Sequence, residues 1–275
     1  MSHAHHSPLG RTSSYAEHYD PGLLFPIPRA DKRAELGLDE TLPFHGVDLW
    51  NAYELSWLGP RGKPQVALAE FRIPAASPHI VESKSFKLYL NSYTQTALRD
   101  TTELQQRLER DLAAATGAAV DVRLTGPQDF AAQRLAEPAG ECIDEVDVAI
   151  DHYGPPQPAF LAADAGVSAE ETLVSHLLKS NCPVTGQPDW ASVQIRYRGP
   201  RLDRAGLLRY LVSFRRHDDF HEQCVERIFV DLWRRCRPDR LAVYARYTRR
   251  GGLDINPFRS SDPRDVPDNP RGARQ

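Results

Sequence analysis

The chain has few cysteines, no long apolar run and no excess of positive charge. Its four cysteines, Cys142, Cys182, Cys224 and Cys236, include no close pair. This spacing excludes a secreted disulfide framework and a CxxC metal site. No apolar run follows a basic region near the start, and no stretch approaches the length of a membrane span. We therefore expect a cytoplasmic protein that makes no contact with membranes.

The charges of the chain are nearly balanced. It has 34 basic and 37 acidic residues, which gives a formal net charge of −3. Because no overall basic field exists, little electrostatic attraction to a nucleic-acid backbone is available. We expect a small-molecule partner and no direct nucleic-acid binding. At 275 residues the chain can bury a substantial core in one large or two modest domains.

A cysteine lies inside the turn-forming stretch Ser180–Asp189. Two prolines and a glycine in this stretch favour a rigid turn, because proline fixes φ and glycine readily takes positive φ. We expect the turn to present the Cys182 thiol as a nucleophile, with Asp189 across the turn as proton donor. Two plainer interpretations stay open: Cys182 as buried core and Asp189 as a turn-stabilising residue.

Two blocks of the sequence resemble a known family. Ser180–Asp189, followed by Trp190, is similar to the active-site segment of the NADPH-dependent 7-cyano-7-deazaguanine reductases of queuosine biosynthesis, a tRNA modification pathway. Glu82–Tyr89, with the sequence ESKSFKLY, matches the signature that separates these reductases from the related GTP cyclohydrolases. The resemblance extends from about Tyr19 to Ser260.

The resemblance implies a nitrile reductase with a covalent intermediate. Cys182 matches the cysteine that forms a thioimide with the nitrile, and Asp189 matches the proton donor. NADPH is the implied cofactor. Because no G-x-G-x-x-G follows a strand, we do not expect a Rossmann site for it.

The same resemblance implies the binding residues. Substrate contacts are expected at Val81, Glu82, Ser83, His221 and Glu222. Cofactor contacts are expected at Ser83, Lys84, Arg250 and Gly251. A carboxylate such as Glu82 suits the N–H groups of a deazaguanine base, and cations suit the cofactor phosphates.

Two other functions stay open. His217 and His221, four residues apart, would suit a zinc-binding helix face of a hydrolase similar to GTP cyclohydrolase. A third defined ligand and an HExxH motif are missing, so we predict no metal site. The other alternative is a non-catalytic purine- or pterin-binding module with a structural cysteine.

The pattern of apolar residues predicts an α+β fold. Strands are expected at 48–57, 65–73, 119–124, 142–151, 172–179, 190–197 and 241–248. Helices are expected from the Ser83 N-cap, from a Thr101 or Thr102 N-cap to Gly117, around Leu207–Phe214, and from an Asp218 or Asp219 cap to Pro238, with Cys224 on the core face of the last. We expect the tail after Ser260 to fray.

An internal sequence repeat predicts two similar units. Tyr89–Tyr93 aligns with Tyr210–Phe214, and the proline-rich break Gly154–Pro158 separates the two halves. We expect an N-terminal arm at 1–38, a first unit at 39–155 and a second unit at 156–275. The resemblance implies two tandem tunnelling-fold units, each an antiparallel sheet with two helices on one face. It also implies a homodimer.

Overall fold

A computed structural model describes residues 15–39 and 41–275 of the chain. Within them the helices are α1 (Ala30–Glu35), α2 (Ser83–Asn91), α3 (Thr101–Thr116), α4 (Arg204–Val212) and α5 (His221–Cys236). The strands are β1 (Pro26–Pro28), β2 (His45–Leu58), β3 (Pro64–Pro74), β4 (His79–Val81), β5 (Asp121–Thr125), β6 (Glu141–Cys142), β7 (Ala163–Asn181), β8 (Pro188–Leu202), β9 (Arg240–Tyr247) and β10 (Leu253–Ser260). The predicted α+β class is confirmed. No helix in the described ranges is both long and apolar enough to cross a membrane.

The first compact unit comprises the described residues up to Glu35 together with 48–134 and 249–255. Its sheet runs in the order β5, β3, β2 and the first residues of β10. Along β3, Ala67, Ala69, Phe71 and Ile73 are buried while the residues between them are partly exposed. This period of two places one face of the strand in the core, where α2 and α3 contribute Phe86, Leu104 and Leu108.

The second compact unit comprises 36–47, 135–248 and 256–275. Its sheet runs in the order β10, β9, β8, β7 and β6. β7 and β8 form a long antiparallel hairpin, and β6 pairs with β7 in parallel. The predicted core face of α5 is confirmed, since Cys224, Ile228 and Leu232 are buried.

The helix starts differ from the predicted ones by one or two residues. Glu82, not Ser83, is the N-cap of α2, and Asp100, not a threonine, caps α3. Phe220 occupies the cap position of α5, and the Asp219 side chain accepts the Phe220 N–H. The Glu82 and Asp100 carboxylates accept backbone N–H groups two or three residues ahead, which have no partner within the helix. Ser83 and Thr101 already lie inside the first turn, so their hydroxyls are not placed to cap it. The predicted end of α3 is confirmed by Gly117, with φ of 75°.

Two predicted segments were wrong. Only Glu141–Cys142 of the region around 142–151 is a strand, because the acidic residues at 144, 145 and 147 interrupt its apolar pattern. The tail after Ser260 does not fray where it ends. Gln275 is buried, accepts hydrogen bonds from Arg246 and donates to the Tyr247 carbonyl and to Asn256 Oδ1.

The chain is divided into compact units at positions that differ from the predicted boundary at residue 155. The change from the first unit to the second falls between Arg134 and Leu135, and short segments of β2 and β10 belong to each unit. Of the predicted arm at 1–38, residues 1–14 lie outside the described part. The described arm contributes β1, which pairs with β4 in the register Pro26 to Val81.

A buried ion pair fastens α5 inside the second unit. Arg259, with no exposed surface, donates from Nε and Nη2 to Glu226 Oε1 at 3.1 and 2.9 Å. Its Nη1 donates to the carbonyls of Val47 and Phe258. Removing one partner of such a pair leaves an uncompensated charge away from water.

We expect Glu226→Gln to lower the free energy of unfolding by about 3 kcal/mol, because the buried Arg259 guanidinium loses its ion pair with the Glu226 carboxylate. Urea denaturation followed by circular dichroism measures this loss. The control is Glu35→Gln, which removes an exposed partner of Lys32 and should cost less than about 1 kcal/mol. Equal losses in the two variants would contradict the assigned importance of the buried pair.

Candidate active site

The cysteine turn joins β7 to β8. The Cys182 N–H donates to the Gln187 carbonyl at 2.9 Å, and the Gly186 N–H donates to the Cys182 carbonyl at 2.9 Å. Gly186 has φ of 67°, in the left-handed region that favours glycine. In the hairpin register Ser180 pairs with Asp189, so the carboxylate lies opposite a residue two positions before the cysteine. The predicted rigid turn is confirmed.

The predicted exposure of the thiol was wrong. Cys182 is only 3% exposed, whereas residues 185–188 at the tip of the turn are exposed. The base of the turn is pinned from outside the hairpin: the Asn181 N–H donates to the His217 carbonyl and the Asp219 N–H donates to the Asn181 carbonyl. These bonds fold the first half of the turn against residues 217–219 instead of leaving it free.

The same pinning brings the start of α5 to the cysteine turn. His221 Nε2 lies 3.6 Å from Asp189 Oδ1, and both residues are buried. The His221 ring meets the Tyr247 ring edge-on, with centroids 3.9 Å apart. Glu222 is buried in the first turn of α5, where the N-terminal helix dipole favours a carboxylate. Of the predicted site residues, His221 and Asp189 are thus in contact, Cys182 lies in the turn that leads to Asp189, and Glu222 follows His221 in α5.

A second cysteine lies near this cluster but is not a competing nucleophile. Cys224 is fully buried on α5, beside Ser180 and Tyr247. Burial, with a smaller effect from Asp219, raises the pKa of the Cys224 thiol. A protonated, enclosed thiol is unreactive at neutral pH, which fits the predicted structural role of Cys224.

The histidines of the alternative metal site do not gather three ligands. His217 Nε2 lies 3.4 Å from Asp219 Oδ2, and its ring packs edge-on against Phe214. In the described ranges, neither His217 nor His221 belongs to a group of three side chains placed to bind a metal.

In the first unit the signature motif forms a carboxylate held by a helix start. Glu82 Oε1 accepts the Lys84 N–H at 2.7 Å, and Oε2 accepts the Ser85 N–H at 2.8 Å. Burial raises the pKa of the Glu82 carboxyl above its ordinary value, and the two N–H donors oppose this rise. Val81, at the end of β4, is also buried.

The arm holds this helix start in place. The Glu82 N–H donates to the Phe25 carbonyl at 2.9 Å, and the Phe25 N–H donates to Ser85 Oγ at 3.0 Å. The Ser83 hydroxyl lies 3.5 Å from Glu82 Oε1. The described arm therefore supports the candidate base-binding carboxylate, a function that the sequence did not indicate.

The Arg250–Gly251 turn lies against α2 in the first unit. Arg250 and Leu253 close it with reciprocal backbone hydrogen bonds of 2.8 and 3.3 Å. A Cβ on Gly251, whose φ is 61°, would lie 3.0 Å from the Lys87 amine. The structure thus brings Arg250 and Gly251 to the helix that begins with Ser83 and Lys84. These are the residues predicted to contact the cofactor.

Lys87 is a candidate that the sequence reasoning did not assign. It lies three residues after Lys84, on the same face of α2, and its amine is 3.8 Å from Glu54 Oε2. The signal was present, because Lys87 is part of the signature block. The role of Lys87 could not be assigned from the sequence, because it depends on the contact with Gly251, which is distant in the chain.

Comparison with known proteins identifies the class first. Residues 15–124 match the family model described as nitrile reductase, 7-cyano-7-deazaguanine-reductase N-term. Residues 188–265 match a second model, described as QueF-like protein. The first match contains the Glu82 block and the second contains Asp189, His221 and Arg250, while Cys182 lies between them. The chain is thus a member of the nitrile reductase class.

Curated relatives define the family more narrowly. The chain is 63% identical over 271 residues to the NADPH-dependent 7-cyano-7-deazaguanine reductase of Chromobacterium violaceum, covering 98% of this chain and 97% of the relative. It is 60% identical over 278 residues to the protein of the same name from Ralstonia nicotianae, with both chains fully covered. A third reductase of this name, from Burkholderia multivorans, is 59% identical over 98% of each chain. The chain belongs to the NADPH-dependent 7-cyano-7-deazaguanine reductase family.

We expect iodoacetamide to modify Cys142 at least about tenfold faster than Cys182, Cys224 or Cys236 in the folded protein, because only Cys142 is exposed. Mass spectrometry of tryptic peptides at timed intervals measures the rates. In urea the four rates should converge. Equally fast modification of Cys182 in the native protein would contradict its burial in the turn.

Proposed function

We propose that this protein reduces the nitrile of 7-cyano-7-deazaguanine to the primary amine of 7-aminomethyl-7-deazaguanine, in tRNA queuosine biosynthesis. The observation that carries the proposal is the contact of His221 with Asp189 at the end of the β7–β8 hairpin whose turn contains Cys182. The printed names of the relatives support both the substrate and NADPH as cofactor.

The cysteine makes the nitrile easier to reduce. The Cys182 thiolate adds to the nitrile carbon, one C–N π bond breaks, and the nitrogen takes a proton from Asp189, giving a thioimide. Two molecules of NADPH, bound one after the other, would each supply one hydride for the reduction. After the first hydride reaches the carbon, the nitrogen lone pair expels the Cys182 thiolate and leaves an imine. The second hydride and a proton convert the imine to the amine, so that Cys182 is regenerated.

His221 positions the proton donor. Its Nε2 lies 3.6 Å from Asp189 Oδ1, and Tyr247 holds its ring edge-on. We propose that His221 and Glu222 also contact the substrate at the start of α5. Two buried acidic side chains and an imidazole offer the acceptors and donors that a purine-like heterocycle requires.

Glu82 is the proposed acceptor for the N–H edge of the base, with Val81 and Ser83 beside it. Both of its oxygens are already fixed by N–H groups of α2, so the carboxylate is oriented before substrate arrives. Because burial raises the Glu82 pKa, protonation at acidic pH would remove the charge that the base N–H groups favour. Substrate affinity should therefore fall as the pH falls through this raised pKa.

The glycine turn at Arg250–Gly251 is the main reason for assigning NADPH binding to the predicted cofactor residues. Ser83 and Lys84 at the start of α2 offer a hydroxyl, a cation and helix N–H groups, which suit a phosphate. Arg250 and Gly251 approach the same helix, and a side chain at Gly251 would fill the space beside Lys87. We propose that these residues, with Lys87, bind the NADPH phosphates.

A repeated helix lock supports the proposal of tandem tunnelling-fold units. In α2 the Tyr89 hydroxyl donates to Asp111 Oδ2 at 2.7 Å, and in α4 the Tyr210 hydroxyl donates to Asp231 Oδ2 at 2.7 Å. Each helix also ends in a serine whose hydroxyl donates to the tyrosine carbonyl at 2.6 Å. Matching locks at matching positions are what a duplicated unit would leave.

We further propose a cytoplasmic homodimer. Cys142, Cys182, Cys224 and Cys236 are all free, which suits a reducing compartment. The homodimer follows from the family resemblance and is tested by sedimentation of the purified protein. The predicted boundaries at residues 38 and 155 stay part of this proposal.

We expect incubation with the nitrile alone to add the mass of one nitrile to the intact protein, because the thioimide forms before any hydride transfer. Cys182→Ala should lose this adduct, and the exposed-cysteine control Cys142→Ser should keep it. Intact-protein mass spectrometry under acidic conditions measures both. Reversible binding with no adduct on the wild-type protein would support the non-catalytic module instead.

We expect Gly251→Ala to raise the KM for NADPH at least about tenfold, because the added methyl meets Lys87 and strains a left-handed backbone. Steady-state kinetics with varied NADPH at saturating nitrile measures it. Gly62→Ala is the matched control, since Gly62 has φ of 78° and open space around it. A KM for NADPH that rises equally in both variants would sink the assignment of this turn to the cofactor.

A further inference from the structure

Three side chains outside the candidate active site gather in the second unit. Cys142 ends β6, Asp144 follows two residues later, and His176 lies in β7. The cysteine sulfur, a carboxylate oxygen and a ring nitrogen all lie within 4.8 Å of one another. None of the three residues has a role in the proposed reduction.

The contacts around the cluster orient its side chains. Asp144 Oδ1 accepts the Ser175 hydroxyl at 2.6 Å, and Oδ2 accepts the His176 backbone N–H at 2.9 Å. His176 Nδ1 is hydrogen-bonded to Ser192 Oγ at 2.8 Å. Metal-binding imidazoles characteristically use one ring nitrogen for such a bond and the other for the metal. The Ser192 bond leaves His176 Nε2 for a ligand.

These contacts argue against a cysteine–histidine–aspartate catalytic triad. A triad needs the carboxylate to orient the imidazole that activates the nucleophile. Here Asp144 accepts hydrogen bonds from the Ser175 hydroxyl and the His176 backbone N–H, while the His176 ring nitrogen Nδ1 is bonded to Ser192 and not to Asp144. The carboxylate and the imidazole are therefore oriented as separate ligands.

We propose that Cys142, Asp144 and His176 bind a zinc ion, with water as the fourth ligand. A thiolate, an imidazole and a carboxylate are zinc ligands, and the thiolate disfavours magnesium and calcium. Ligand atoms of a tetrahedral zinc site lie roughly 3.3 to 3.8 Å apart, for bonds of about 2.0 to 2.3 Å. The exposed Cys142 side chain can rotate to close the remaining gap. Binding releases the thiol proton to water and involves no change of oxidation state.

The ion would add a link between the β6 segment and the sheet. Between β5 and β7, β6 is the only strand among the described residues, and it pairs with β7 over two residues. A metal link from Cys142 and Asp144 to His176 would hold this long connection against the strand that leads to Cys182. Closing a long flexible segment by a cross-link restricts its opened forms.

We expect the chelator-treated full-length protein to bind one equivalent of zinc in competition with a chromophoric chelator. Cys142→Ser should lower the affinity by more than about tenfold, and Ser192→Ala by about tenfold. Asp144→Asn should lower the zinc affinity because it removes a ligand. Glu145→Gln, which changes a neighbouring exposed carboxylate, should leave the zinc affinity unchanged. Unchanged zinc affinity in Cys142→Ser, or equal losses in Asp144→Asn and Glu145→Gln, would overturn the proposal.

Two further readouts identify the ligands. Cobalt(II) should give a thiolate charge-transfer band in the wild-type protein that is absent in Cys142→Ser, which separates this site from His3, His5 and His6 near the start of the sequence. Zinc should also slow the alkylation of Cys142 without slowing that of Cys236. A cobalt band that persists in Cys142→Ser, or alkylation of Cys142 unaffected by zinc, would assign the metal elsewhere. Nitrile reduction should survive the chelator, so failure of the zinc site leaves the reductase proposal standing.

Discussion

The backbone of Asn181 joins the two parts of the second unit that carry the candidate chemistry. Its N–H donates to the His217 carbonyl at 2.8 Å, and its carbonyl accepts the Asp219 N–H at 3.1 Å. Asn181 directly precedes Cys182, and Asp219 lies two residues before His221. These two bonds therefore decide where the thiol lies relative to the start of α5. The contact of His221 with Asp189 follows from the same arrangement.

Burial of the cysteine changes how the proposed reaction begins. A sealed thiol is protected from solvent oxidants, but it must be uncovered before it can attack a nitrile. The tip at 185–188 is exposed and contains the left-handed Gly186, whereas the cysteine before it is buried.

The two compact units contain one similar feature, the tyrosine–aspartate lock, and differ in the functional residues that they carry. Both contain the tyrosine–aspartate lock, and both begin the locked helix with an acidic N-cap, Glu82 in α2 and Asp203 in α4. The cysteine turn and the imidazole occur in the second unit, while the lysine-rich helix start and the glycine turn occur in the first. Duplication followed by divergence would leave such a division of functional residues over one repeated framework.

Local chemistry in the sequence was sufficient to predict the β2–β3 and β7–β8 hairpins, helices α2 to α5, the stop at Gly117 and the cysteine turn, since these depend on residues close together in the chain. The signature blocks likewise indicated the family, which the comparisons confirmed. Only the tertiary structure decided that Cys182 is buried, that β6 is a two-residue parallel strand and that Gln275 is anchored. It also brought Gly251 to Lys87 and Cys142 to His176. Each of these outcomes depends on contacts between segments far apart in sequence, for which local propensity carries no information.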